Sequence, residues 1–149
     1  MNLLVDTHLV LWAAGAPDRL SAEAHSLLAD DENNLYFSAA SLWEITIKAG
    51  LGRDDFVVDP RLLRAGLLDN GWRELPITSE HVVSTGALPL IHKDPFDRLL
   101  IAQASSEGFL LLTSDKMVSR YTGPIRKVWC KPTRGFMPGI GVAWARQER

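Results

Sequence analysis

The stretch HKDPFDRLLIAQA, residues 92–104, decides how the rest of the sequence is interpreted. Asp94 is a favourable helix N-cap, Pro95 suits the first helical position, and an apolar run follows, so the stretch predicts an α-helix. At helical spacing, Asp97 shares a face with the apolar residues three, four and seven positions further on. Burying an unpaired carboxylate costs several kcal/mol, and the helix dipole offsets at most about 1 kcal/mol of that. We therefore expect a cation or a ligand beside Asp97.

Three more acids occupy comparable positions. Asp6 directly follows a short apolar segment that predicts a buried strand, and Asp115 follows a second such segment after one serine. Glu44 lies early in a helix predicted over 38–49. In open α/β sheets, ligands bind outside the carboxyl ends of the strands, so we expect these acids at one edge. Clustered carboxylates repel one another unless a divalent cation neutralises them, and a set of oxygen ligands suits Mg²⁺ or Mn²⁺.

Each acid also has an ordinary structural interpretation. Asp6 and Asp115 are typical of caps or turns that follow a strand. Glu44 and Lys48 have the i, i+4 spacing of an ion pair on a helix surface. Asp97 is the hardest to explain in this way, because its helix face is apolar. The residues alone leave both a metal site and four separate structural roles open.

Short apolar strands alternate with helices along the chain. Strands are predicted over 3–5, 35–37, 72–77, 109–113 and 124–129. Helices are predicted over 9–14, 21–29, 38–49 with Gly50 as its end signal, 61–68, 79–88 with Ser79 as its cap, and from Pro95 onwards, with a loop over 53–59. The alternation predicts an α/β fold, a three-layer α/β/α sandwich with a central parallel sheet. We assign residues 1–130 to this domain. Residues 131–149, broken by Pro and Gly, are assigned to a C-terminal extension that is either poorly ordered or docked on a neighbour.

Composition restricts the class of protein. The 149 residues suffice for one core, 46% hydrophobic content argues against disorder, and a net charge of −2 gives no global signal for nucleic acid. A single cysteine, Cys130, favours a reducing compartment. The N-terminus lacks a basic region and no apolar run is long enough for a bilayer, so we expect a cytoplasmic protein without a membrane. Motifs of nucleotide-binding loops and serine nucleophile elbows are absent from the sequence.

Basic side chains near the acids are candidates for contacts with phosphates. They are Lys48, Lys93, Arg98, Lys116 and Arg120. For each of them, a solvated surface charge is the alternative. Hydroxyl side chains next to the acids are expected either to hydrogen-bond the metal-binding carboxylates or to act as caps. These are Thr7, Thr113 and Ser114.

The histidines and tryptophans near the motifs are interpreted as structural or contact residues in preference to metal ligands or base-stacking platforms. His8 and His92 lack a paired spacing, so we interpret them as structural residues or weak substrate contacts and not as metal ligands. Trp12 and Trp43 are interpreted as anchors of the core or of a partner interface, in preference to platforms for stacked bases.

Four segments together carry a family resemblance. They are LVDTH at 4–8, SAASLWEITIK at 38–48, DPFDRLLIAQA at 94–104 and TSD at 113–115. With these segments the chain resembles the PIN-domain ribonucleases and, within them, the VapC-type toxins of bacterial toxin–antitoxin pairs. The resemblance covers about residues 2–129, and residues 131–149 depart from the usual family ending. That segment is either an extension or of non-native origin.

The resemblance implies roles for the four acids. The acidic quartet of the family falls on Asp6, Glu44, Asp97 and Asp115, and none of the four is substituted. The metal ligands would be chiefly Asp6 and Asp97 with help from Asp115, while Glu44 would hold a second metal or orient water. The resemblance further implies endonucleolytic cleavage of RNA with Mg²⁺ or Mn²⁺, a homodimer, and inhibition by a cognate antitoxin.

The sequence is therefore interpreted as a metal-dependent endoribonuclease that leaves a 5′-phosphate and a 3′-hydroxyl and acts as the toxin of such a pair. Two alternatives stay open. A catalytically silent PIN-like module would bind RNA or a protein without cleaving it. A metal-dependent phosphatase would hydrolyse a simple phosphate monoester.

Overall fold

A five-stranded sheet organises the fold in the computed structural model, which describes residues 1–52 and 56–130. The strands are β1 (Asn2–Val5), β2 (Asn34–Ser38), β3 (Arg73–Leu75), β4 (Leu110–Thr113) and β5 (Ile125–Lys127). Their order is β3-β2-β1-β4-β5, and each neighbouring pair is parallel. All carboxyl ends of the strands therefore lie at one edge, which we call the carboxyl edge of the sheet.

Helices connect the strands. Within the described ranges they are α1 (Thr7–Gly15), α2 (Ala22–Ala29), α3 (Ala39–Gly50), α4 (Pro60–Asp69), α5 (Ser79–Ser84) and α6 (Pro95–Glu107). The ends of α6 follow its sequence signals, since Asp94 caps its first turn and Gly108 ends it in the left-handed conformation, φ 71°. None of these helices has both the length and the apolar content that crossing a bilayer requires.

Two apolar clusters lie on opposite faces of the sheet. Val5 and Leu112 belong to the cluster that includes residues of α1, α2 and α4. Leu4 and Leu111 belong to the cluster that includes residues of α6. Successive side chains of a strand point to opposite faces, so both central strands are buried on both sides. The predicted three-layer α/β/α sandwich with a parallel sheet is confirmed.

Several predicted boundaries differ from the structure for local reasons. The third strand ends at Leu75 because Pro76 has no N–H for a sheet hydrogen bond. The helix predicted over 79–88 is capped by Thr78 and becomes a 3-10 turn over Thr85–Ala87, where Gly86 weakens an α-helix. Gly50 is the last residue of α3 and not the residue past its end.

Two further predictions fall partly or wholly outside the described residues. Of the loop predicted over 53–59, residues 53–55 lie outside, and α4 begins directly after it at Pro60. The C-terminal extension, 131–149, also lies outside the described residues. The assignment of 1–130 and 131–149 to separate units stays a prediction.

Candidate metal centre

The acids gather where the strand order changes direction. β1 lies at the centre of the sheet between β2 and β4, and the Asp6 N–H continues the ladder by donating to Leu112 O at 3.0 Å. Ligands of open α/β sheets bind at this kind of switch point, outside the carboxyl ends. Asp6 follows β1 and Asp115 follows β4 by two residues, so both lie at the carboxyl edge.

Asp6 is a buried carboxylate with a partner on each oxygen. It caps α1, where Oδ1 accepts the Leu9 N–H at 2.9 Å, and Oδ2 accepts the Thr113 hydroxyl at 2.5 Å. Only 4% of the residue is exposed. Burial raises the pKa of Asp6, against the lowering effects of Thr113, the Leu9 and Ser114 N–H groups and the charge of His8. Asp6 is thus held in a fixed orientation at a cost that a cation would relieve.

Glu44 is buried but only half satisfied. Its Oε2 accepts Lys48 Nζ at 2.9 Å, whereas its Oε1 is buried and has no hydrogen-bond partner among the described residues. The glutamate is 5% exposed, while the Lys48 side chain is 42% exposed. A buried oxygen without a partner is costly, and most such atoms in folded proteins are paired. This pair is therefore not the solvated surface pair that i, i+4 spacing alone suggests.

Asp97 lies in the first turn of α6, at the carboxyl edge. Its Oδ2 accepts His92 Nε2 at 2.8 Å, and its N–H is capped by Asp94 Oδ1 at 3.2 Å. Burial, followed by the charge of Asp94, raises the pKa of Asp97 to about 6, while the His92 hydrogen bond lowers it. The charges of Asp6 and Glu44 also raise the pKa of Asp97. Asp97 is thus close enough to both Asp6 and Glu44 to be repelled by them.

Asp115 is placed differently from the other three acids. Its Oδ1 accepts the Met117 N–H at 2.7 Å and the Val118 N–H at 3.2 Å, so it shapes the following turn. Its own N–H donates to Thr113 Oγ1 at 3.0 Å, and the same hydroxyl donates to Asp6. Asp115 therefore has the turn-forming role that its position after a strand predicts, and Thr113 links it to Asp6.

The hydroxyl candidates divide into two groups. The hydroxyl of Thr113 bridges Asp6 and Asp115, and Ser114 reaches Asp6 through its backbone N–H. The hydroxyl of Thr7 donates instead to Ser41 Oγ at 2.9 Å. Thr7 therefore joins α1 to α3, and its predicted contact with a carboxylate is corrected to this one.

The basic candidates also divide. Lys93 and Lys116 are exposed, and Arg120 is exposed with a contact to Met117. Arg98 donates to the carbonyl oxygens of residues 85, 88 and 89 and to the hydroxyl of Tyr121. Its guanidinium is used inside the protein, so we correct the predicted phosphate contact of Arg98 to a structural role.

Trp12, Trp43 and His8 differ in their exposure to solvent. Trp12 is buried in the core, whereas Trp43 is 58% exposed and packs edge-on against Phe96 with ring centroids 5.1 Å apart. His8 is exposed and contacts Trp12. Trp12 is therefore a core anchor, and Trp43 has the exposure that a partner contact requires.

His92 is the residue whose role the sequence did not indicate. Ligand atoms of His92, Asp94 and Asp97 all lie within 4.8 Å of one another. His92 lies before the first turn of α6, so helical periodicity does not relate it to Asp97. The only sequence signal is its nearness to the motif, five residues before the acid.

A family model described as the PIN domain matches residues 3–124. The chain belongs to the PIN domain family. It is 29% identical to Ribonuclease VapC22 of Mycobacterium tuberculosis over 124 residues, which span 83% of this chain and 94% of that protein.

Solved structures support the same fold for this PIN domain. It is similar to VapBC2 from Rickettsia felis bound to a promoter DNA fragment, with a TM-score of 0.64, 15% identity, and coverage of 86% of this chain and 99% of that one. It is also similar to DNA-bound VapBC from Salmonella typhimurium, with a TM-score of 0.59, 17% identity, and coverage of 87% and 99%.

The carboxyl edge of this PIN domain has the chemistry of a site for a hard divalent cation. Asp6, Glu44 and Asp97 offer carboxylate oxygens, and the burial of Asp6 and Glu44 limits how well water screens their repulsion of Asp97. The unpartnered Glu44 Oε1 is the specific observation that fits a missing positive charge. The residues present therefore fit a metal such as Mg²⁺ or Mn²⁺.

Proposed function

We propose that this PIN domain is an endoribonuclease that uses Mg²⁺ or Mn²⁺ and acts as the toxin of a toxin–antitoxin pair. The observation that carries the proposal is the buried, unpartnered Oε1 of Glu44 beside the raised-pKa carboxyl of Asp97. A site that kept two buried acids and the half-buried Asp97 together for structure alone would be destabilising. The similarity to Ribonuclease VapC22 supports RNA as the substrate.

The proposed roles of the acids follow from their contacts. Asp6 and Asp97 hold the cation, and Asp115 assists through the oxygen that the turn does not use. A bound divalent cation supplies Lewis-acid activation of water and stabilises charge on the leaving oxygen. Glu44 either holds a second ion or orients the attacking water by accepting one of its protons at Oε1. The hydroxyl of Thr113 fixes the position of Asp6 relative to Asp115 by hydrogen-bonding both residues.

Substrate contacts are assigned to the exposed cations. Lys93 adjoins Asp94, and Lys116 adjoins Asp115, and both are exposed, so we assign them to the phosphates on either side of the scissile bond. Lys48 neutralises Glu44 and keeps part of its length in solvent. Attack of water on phosphorus breaks the bond to the 3′ oxygen, which leaves a 5′-phosphate and a 3′-hydroxyl.

The proposed partners are an RNA, a cognate antitoxin and a second copy of the chain. Trp43, Ile47 and Leu51 recur at helical spacing along and just beyond α3, and all three are exposed. The stripe lies on the helix that carries Glu44, and its Trp43 packs against Phe96, the neighbour of Asp97, so a protein bound there would lie close to the acids. A toxin–antitoxin complex from Klebsiella pneumoniae is among the solved structures with a similar fold, which supports an antitoxin as the occupant. An RNA substrate and a single cysteine are consistent with the cytoplasm.

Cleavage of a labelled single-stranded RNA with Mg²⁺ or Mn²⁺ tests the chemistry. We expect Asp97→Asn to reduce the cleavage rate by more than about 100-fold. Removal of a residue that only hydrogen-bonds a metal ligand typically reduces activity by roughly 10–100-fold, and Asp97→Asn alters a ligand itself. The exposed Asp31→Asn, in the turn before β2, is the matched control and should cleave normally. Product ends should carry a 5′-phosphate, which separates this activity from contaminating nucleases that leave cyclic phosphates.

Four results would contradict the proposal. Cleavage in the presence of EDTA would show that the reaction needs no divalent cation. Cleavage by Asp97→Asn at the wild-type rate would show that Asp97 has no role in the reaction. RNA binding without cleavage in any divalent ion would favour the silent module. Turnover of a simple phosphate monoester without RNA cleavage would favour the phosphatase. Purification together with the product of the adjacent reading frame would test the antitoxin.

A further inference from the structure

The hydroxyl of Tyr121 forms hydrogen bonds with both backbone polar groups of His92. It accepts the His92 N–H at 2.9 Å and donates to the His92 carbonyl oxygen at 3.3 Å. It also accepts Arg98 Nη1 at 3.1 Å. A phenolic hydroxyl offers one donor and two acceptor positions, so these three contacts use all of its capacity. Tyr121 is 4% exposed, which protects the arrangement from competing water.

Arg98 fastens the chain segment that leads to His92. Nη1 donates to Pro89 O at 2.9 Å, while Nη2 donates to Thr85 O at 2.9 Å and to Leu88 O at 3.3 Å. Arginine suits this role because its rigid, always charged fork holds several acceptors in fixed directions. Residues 85–89 are thus tied to α6 at Arg98, one residue after Asp97.

The ring of His92 is held by these contacts against Asp97. Nε2 lies 2.8 Å from Asp97 Oδ2, and both side chains are about one-fifth exposed. An ionised carboxylate only accepts hydrogen bonds, so His92 presents its Nε2–H. The hydrogen-bond partner of this ring nitrogen is Asp97, whereas Asp94 Oδ1 accepts the Phe96 and Asp97 N–H groups. Oδ2 of Asp97 therefore accepts the hydrogen bond from His92, and Oδ1 does not.

We propose that His92 is a positioning residue that holds Oδ2 of Asp97 and thereby leaves Oδ1 to bind the divalent cation, and that Tyr121 and Arg98 hold His92 in place for this task. The inference rests on the proposed metal site. Metal-ligating carboxylates are commonly hydrogen-bonded by a second layer of side chains, and loss of such a partner typically costs about 10–100-fold in metal affinity. His92 is not itself a ligand in this arrangement, because its Nε2 is directed at Asp97.

The state of the ring can be measured without any metal. Nitrogen-15 chemical shifts of the imidazole in the metal-free protein at fixed pH report which nitrogen carries the proton. We expect His92 to be protonated at Nε2 and this preference to weaken in Tyr121→Phe, which loses only the hydroxyl. A His92 ring that exchanges freely between tautomers in the wild-type protein would overturn the proposal, whatever the enzyme cleaves.

Mn²⁺ affinity, measured by calorimetry at the same pH, tests the consequence. We expect His92→Phe to bind Mn²⁺ roughly 10–100-fold more weakly, and His92→Gln, which keeps a donor of similar reach, to stay within about threefold of wild type. The exposed His25→Gln on α2 is the control and should bind normally. If Tyr121 acts through His92, His92→Phe/Tyr121→Phe should be no weaker than His92→Phe alone.

The outcomes separate this inference from the proposed function. A wild-type protein that does not bind Mn²⁺ would overturn the metal site itself. Normal binding by His92→Phe, or additive losses in the double variant, would overturn only the positioning role. Nitrogen coupling in the electron spin echo of bound Mn²⁺ that disappears in His92→Gln would make His92 a direct ligand and would also overturn it.

Discussion

Glu44 and Glu74 of this PIN domain are each paired with a basic residue, and the two pairs differ in what they leave unpaired. Glu74 on β3 accepts Arg64 Nε at Oε1 and Nη2 at Oε2, and its side chain is 30% exposed. Glu44 accepts Lys48 at one oxygen only, is 7% exposed in its side chain, and keeps Oε1 buried with no partner from residues 1–52 or 56–130. Both oxygens of the surface pair are satisfied. The pair at the carboxyl edge leaves one buried oxygen without a donor or a cation from the described part of the chain.

The comparison shows which features mark a functional acid. An ion pair in the sequence or the structure is by itself weak support for a role, since exposed pairs contribute about 0–1 kcal/mol. A carboxylate that is buried, incompletely paired and close to other acids is maintained at a cost to stability. Such costs concentrate at functional sites.

The largest expected effect concerns the pH dependence of stability. The pKa of Asp97 is about 6 in the folded protein against 3.8 for the free side chain, so the folded state favours the protonated form. Its stabilising contribution is therefore complete below about pH 4 and is lost as the pH rises through 6. The loss is on the order of 3 kcal/mol for metal-free protein. Urea unfolding from pH 4 to 8 in EDTA should show it.

Asp97→Asn should remove the part of that slope that Asp97 contributes, because asparagine does not titrate, while the raised pKa of Asp6 leaves a smaller slope of the same sign. Glu74→Gln, at the surface pair, should leave the slope unchanged. Parallel pH curves for wild type and Asp97→Asn would show that the carboxyl edge does not store the electrostatic cost that separates it from the surface pair.

A smaller effect is expected from the hydroxyl that holds Asp6. Thr113→Val keeps the shape but removes the donor to Asp6 Oδ2 and the acceptor for the Asp115 N–H. Hydrogen bonds to charged groups contribute about 1.5–3 kcal/mol, so the free energy of unfolding at pH 7 should fall by about 2 kcal/mol. Thr113→Ser keeps the hydroxyl and is the control. Equal losses in both variants would assign the effect to packing.

The smallest effects test the two glutamates directly and have opposite signs. Glu74→Gln weakens an exposed pair and should lower the free energy of unfolding by at most about 1 kcal/mol. Glu44→Gln removes a buried charge that repels Asp97, so it should raise the stability of the metal-free protein, by about 1 kcal/mol. Chemical denaturation in EDTA measures both. A loss of stability in Glu44→Gln would make Glu44 an ordinary structural ion-pair partner.

Much of the fold follows from local sequence signals. The Asp94–Pro95 start and the apolar spacing of α6 predicted both the helix and the unusual position of Asp97. Alternation of apolar strands with helices predicted a parallel sheet, which in turn predicted a shared edge for Asp6 and the other acids.

The rest depends on contacts between distant segments. Helical periodicity extends only along one helix, so it could not indicate that His92 reaches Asp97 from the preceding loop. Arg98 has the sequence position of a phosphate contact, but the carbonyl oxygens that hold it come from residues 9 to 13 positions earlier. Thr7 likewise finds Ser41 on another helix. Tertiary packing, which leaves no periodic pattern in the sequence, decides each of these.

The position of bound Mn²⁺ in crystals, located by its anomalous scattering, tests the central claim most directly. The account predicts an ion at the carboxyl edge that contacts oxygens of Asp6 and Asp97, with Glu44 Oε1 bound to it directly or through one water. In Glu44→Gln crystals the ion should be weaker, while Glu74→Gln crystals should match wild type. An ion bound at His92 and Asp94 away from Asp6, or no ion at saturating Mn²⁺, would contradict the account.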